Sequence, residues 1–145
     1  MSEVQIEKTL EIYEILERVA NTKGRDAKCD VLRQNKCAAL TDLLRCAFDD
    51  TIRFTIPVGT PPYTPRDPEG KGTFRDQNIN LTFFVKGGRG DQMAQFEREA
   101  RFIKVLESIH PKDAEMLILA KDKKAPAKSL TKKLVEKAFP GLIRK

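Results

Sequence analysis

The lysines at 121, 123, 124, 128, 132, 133 and 137 crowd into the last 25 residues, where nine of the chain's 27 Lys and Arg meet two of its 21 Asp and Glu. Ammonium groups at this density suit a polyanion, because each phosphate neutralised by a lysine releases condensed counterions. The first 120 residues hold the remaining 18 basic and 19 acidic side chains, so the body is near neutral and the tail carries the excess. On charge alone, a solvated helix surface accounts for the same lysines equally well.

Within the tail, Ser129 has the side chain of a helix cap, and Leu130, Leu134, Val135 and Ala138 follow at helical spacing. A helix starting there turns Lys132, Lys133 and Lys137 outward. Its first N–H groups and partial positive charge suit a phosphate oxygen, and the preceding KDKKAPAK adds undirected attraction. Lysines outnumber arginines eight to one in this segment, which favours sequence-independent phosphate contact over bidentate reading of guanine edges.

Catalytic chemistry has no comparable cluster. His110 is the only histidine and precedes Pro111 at a helix start, a place for a cap or a surface side chain. KGGRGD, residues 86 to 91, lacks the spacing and hydroxyl of a nucleotide-binding loop; it reads first as a turn and second as backbone donors beside Lys86 and Arg89. Cys29, Cys37 and Cys46 lie seven and eight residues apart in apolar patterns and read as reduced, buried thiols. No metal, cofactor or enzymatic activity is expected. The longest apolar runs fall far short of the roughly 20 residues that cross a bilayer, and the acidic start resembles no signal peptide, which predicts a soluble, cytoplasmic protein.

The elements that must position these lysines are helical. Spacing predicts helices over about 4–20, 25–34, 36–48, 92–108, 111–122 and from Ser129 onward, with NINLTFFV (78–85) leaning to a short helix. In the helix at 92–108, Met93, Phe96, Ala100, Ile103 and Leu106 form the expected inner stripe. Five of eight prolines fall between 51 and 74, so the centre is a long irregular loop, bounded at 53–78, with Phe54, Tyr63 and Phe74 to anchor it. The expected fold is all-α: one compact bundle of about six to seven helices spanning 1–145.

The order of IYEILERVANTKGRDAKCDVLRQNK near the start and ESIHPKDAEMLILAKDKKAPAKSLTKKLVEKAFPGLI at the end resembles the N-terminal helical DNA-binding domain of T-even-type phage ATP-dependent DNA ligases. It also resembles a family of short proteins from T-even-like and cyanobacterial phages that share the LTKKLVEKAFPGLI ending. The resemblance covers roughly residues 10 to 50 and 105 to 143. It lacks the Lys-x-Asp-Gly nucleophile motif that follows this domain in the ligases.

What the resemblance implies is a non-catalytic, phage-encoded accessory protein in the infected host's cytoplasm, holding double-stranded DNA across the minor groove without reading its sequence. By position it assigns DNA contact to Lys121, Lys123, Lys124, Lys128, Ser129, Thr131, Lys132 and Lys133, with Lys137 on the same surface and Lys23 and Arg25 as a second contact. The alternative is a protein-interaction module that has kept the scaffold and grips a phage or host replication, transcription or defence protein, with the Pro-rich loop as its arm.

Overall fold

Apolar residues at intervals of one, three and four put Ile12, Ile15, Leu16 and Val19 on one face, and that face folds inward as helix α1, Ile12–Asn21. Glu11 and Glu14 close a reciprocal capping box at its start. The computed structural model describes residues 10–143, so the expected first turns at 4–9 lie outside the described residues, while Leu10 and Glu11, also expected to be helical, precede the helix. Gly24, at φ +93, begins α2, Arg25–Gln34, which buries Cys29 and Leu32. Helix α3, Ala38–Phe48, buries Leu40, Leu43 and Leu44 and ends at Asp49, whose carboxylate accepts the N–H and hydroxyl of Thr51.

A four-residue turn of helix, α4 (Phe74–Gln77), is capped by Thr73. Two 3-10 segments, Asn78–Phe83 and Arg89–Gln92, lead to α5, Gln95–Ser108. Pro111 then opens α6, Pro111–Lys121, and α7 closes the described chain at Lys132–Ala138. Among the described residues there is no strand; one isolated bridge joins Phe54 and Val85. The fold is an all-α bundle.

Helix α6 is apolar on most sides, with Ala114, Met116, Leu117, Ile118 and Ala120 all buried, and a helix of that kind belongs in the centre. It touches α1, α3 and α5, while α2 packs on α1 and α7. Phe84 and Phe102 meet edge to face at 5.1 Å in the same continuous core.

The proline-rich stretch is irregular as expected, but it ends at Phe74, where α4 begins. Its backbone is held at many points: Thr55 N–H to Phe84 O at 2.7 Å, Thr64 N–H to Glu107 Oε2 at 2.7 Å, and Arg66 Nη1 to Gly72 O at 2.7 Å. Gly72 lies so close to α5 that a Cβ there would stand 2.0 Å from Ser108 O. The run at 78–83 is 3-10 rather than α-helix.

Helix α5 corrects the expected stripe. Phe102, Val105 and Leu106 face the core, whereas Phe96 is 73% exposed, Ala100 is exposed and Met93 and Ile103 are half-buried. Two apolar stripes run along this helix, and their spacing alone does not say which one meets α6.

Candidate nucleic-acid interface

Lys121 lies on the buried side of α6, three and four residues after Ile118 and Leu117, and is 4% exposed. Its ammonium donates to Pro57 O at 2.7 Å, Gly59 O at 3.0 Å and Asp122 Oδ1 at 2.5 Å. Asp122 in turn accepts the Gly59 N–H, so the ion pair clamps the proline-rich loop onto the end of α6. Lys121 is therefore an internal strut. Its i, i+3, i+4, i+7 position with Ala114, Leu117 and Ile118 was the sequence signal for that role.

Lys123 is also engaged within the chain. Backbone N–H groups of Lys123 and Lys124 return to Ala120 O and Leu119 O, the paired bonds of a Schellman ending, with Lys123 at φ +60 where glycine is usual. The Lys123 side chain then donates to Cys46 O at 2.6 Å and Asp49 O at 2.8 Å, closing the carbonyl end of α3 with a cation. Partial burial lowers its pKa. One lysine thus ends two helices.

The last helix begins later than its sequence suggests. Thr131 is the cap, its hydroxyl accepting the Leu134 N–H at 3.2 Å, and Ser129 sits in the left-handed region at φ +65, outside the helix. Leu130, buried, is a pre-helix anchor rather than a helical residue. Leu134, Val135 and Ala138 are buried as expected.

Lys124, Lys128, Lys132 and Lys133 are exposed, and their ammonium groups have no hydrogen bond or ion pair among the described residues. Lys137 is paired with Asp26, which ties the start of α2 to the outer side of α7. That pair lowers the Asp26 pKa through the hydrogen bond and charge of Lys137. Arg25 adjoins Asp26 in the chain, and Lys23 and Arg25 are both exposed.

His110 caps α6, its Nδ1 accepting the Lys112 N–H at 3.0 Å, and its ring stacks on Tyr13 at 4.2 Å. Burial, with Arg66 and Lys112 nearby, lowers its pKa. Backbone donors of KGGRGD are used within the chain: Lys86 N–H to Arg53 O, Gly87 N–H to Asp91 Oδ2 and Gly88 N–H to Val85 O. Arg89 donates to Thr82 Oγ1 and lies over the Phe83 ring. The three cysteines are free; Cys37 is half-buried, and burial pushes the Cys46 thiol up to about 12. Among the described residues, no His, Cys, Asp and Glu side chains group to hold a metal, and no helix is long and apolar enough to cross a membrane.

Comparison with curated proteins gives no match. A model of a family of unknown function (DUF6433) matches residues 15–126, and the chain belongs to that family. The matched segment takes in Lys23, Arg25, Lys121, Lys123 and Lys124 and stops before Lys128.

Proposed function

We propose that this member of the family is a non-catalytic accessory protein that holds double-stranded nucleic acid without sequence preference. The observation that supports this is the division among its lysines: Lys124, Lys128, Lys132 and Lys133 have no partner among the described residues, although acceptors engage Lys121, Lys123 and Lys137 nearby. Unpaired ammonium groups on one short segment repel each other, and phosphate relieves that repulsion. Ser129, Thr131, Lys23 and Arg25 complete the surface; Lys121 and Lys123 hold its scaffold.

The ligase-like order of the first and last segments supports the same reading, with the chain acting in a phage-infected cell and its duplex held by the phosphates. The alternative use of the proline-rich loop as a protein-binding arm fits less well, because that loop is fastened to α5 and α6 along its length.

The four unpaired lysines alone predict a log–log salt slope of about −3.6 for duplex binding, and steeper where Lys23 and Arg25 also meet phosphate. Fluorescence anisotropy with a labelled duplex measures it. Reversing Lys132→Glu and Lys133→Glu together is expected to weaken binding at least about tenfold at low salt and flatten the slope by about 2, with an unchanged circular dichroism spectrum. A flat salt response in the natural protein, or unaltered affinity in the double variant, overturns the proposal.

A further inference from the structure

A second apolar stripe of α5 turns away from the core. Phe96, Ala100 and Ile103 recur at intervals of three and four, with Met93 just ahead of the helix; Phe96 and Ala100 are exposed, and Met93 and Ile103 are half-buried. Cavities of about 830 and 480 Å³ flank the stripe, and Phe96, Ala100 and Ile103 line both. The smaller is walled on its far side by residues 56–62, where Val58 is 82% exposed. Two large apolar side chains held in water on adjoining segments mark an interaction surface.

The charges beside the stripe indicate what covers it. Glu97 and Lys104 both line the larger cavity, so they stand on the same edge. Both are exposed, and neither has an ion pair among the described residues. Seven residues separate them, about 10.5 Å along the helix axis, too far to pair within one copy.

A two-fold axis crossing α5 between Ala100 and Arg101 carries residue 97 of one copy to residue 104 of the other, and the reverse. Each glutamate then meets a lysine, twice over. A parallel arrangement would set like charges side by side. Ala100, with the smallest side chain of the stripe, falls at the crossing point, where close approach of two helices requires a small residue. Phe96 then extends towards Ile103 of the other copy.

We propose that α5 is the interface of a homodimer, two copies packing antiparallel through Phe96, Ala100 and Ile103 with reciprocal Glu97 to Lys104 pairs. The tested object is the full chain, followed by sedimentation equilibrium without nucleic acid. The mass is expected to rise from 16.5 kDa towards twice that value with concentration.

Glu97→Lys alone and Lys104→Glu alone each weaken self-association at least tenfold. An equimolar mixture of the two variants restores it, since opposite charges face each other again at both contacts. Phe96→Asp abolishes it, and because Phe96 is exposed the thermal melt is unchanged at concentrations low enough for the natural protein to be monomeric. The Lys132→Glu, Lys133→Glu protein dimerises normally, which separates this inference from the nucleic-acid reading. A natural protein that is monomeric up to several hundred micromolar, a dimer indifferent to Phe96→Asp, or no recovery on mixing overturns the proposal.

Discussion

Asp113, in the first turn of α6, is 2% exposed, and one carboxylate oxygen accepts the Tyr13 N–H at 3.0 Å. Burial outweighs that hydrogen bond and pushes its pKa up to about 6. The folded protein therefore holds a proton between about pH 4 and 6 that the unfolded chain releases. This group's contribution is full below the unfolded value and is lost as pH rises through 6, a change on the order of 3 kcal/mol. Asp113→Asn removes the loss. Urea unfolding from pH 4 to 7.5 is expected to show the natural protein falling relative to the variant; parallel curves would exclude a raised carboxyl. His110, whose pKa is lowered, acts in the opposite direction, and the difference between the two proteins isolates Asp113.

At the scale of elements, α7 has seven residues, too few to persist without tertiary support. Helix α2 supplies it. Arg33 donates to Ala138 O at 2.9 Å and Lys137 O at 2.7 Å, satisfying carbonyls at the end of α7, and Cys29 lies under Leu134. Arg33→Ala is expected to cost about 1 to 2 kcal/mol and to speed amide exchange in α7 before the rest of the chain. Exchange that quickens uniformly would show that Arg33 does not hold α7 specifically. Lys132 and Lys133, two of the lysines proposed to meet phosphate, sit on this supported segment, so the variant is also expected to bind duplex more weakly.

Across the whole molecule, the Lys121 and Asp122 pair joins segments more than 60 residues apart, with side-chain exposures of 0% and 6%. Lys121→Met would leave Asp122 buried without its cation, a loss of about 3 kcal/mol. A melt lowered by several degrees, with Gly59 exchanging faster, checks it. Duplex affinity in the folded variant is expected to stay the same, because this ammonium faces inward. A duplex affinity that falls as far as in the Lys132→Glu, Lys133→Glu protein would return Lys121 to the binding surface.

Helical spacing and the stop signals around Gly24, Asp49 and Pro111 determined α2, α3, α6 and the end of α1 to within a few residues, because those patterns are local and the 3.6-residue period is strong. The stripe at Leu134, Val135 and Ala138 was equally plain. Tertiary contact decided the rest. Ser129 and Thr131 are both fit to cap, and only the burial of Leu130 ahead of the helix selects Thr131. Two apolar stripes compete on α5, and docking against α6 settles which is core. Composition placed eight lysines in one segment; whether an ammonium meets a carbonyl of the same chain or water depends on how α3, α6 and residues 56–62 come together, which no spacing along the sequence encodes.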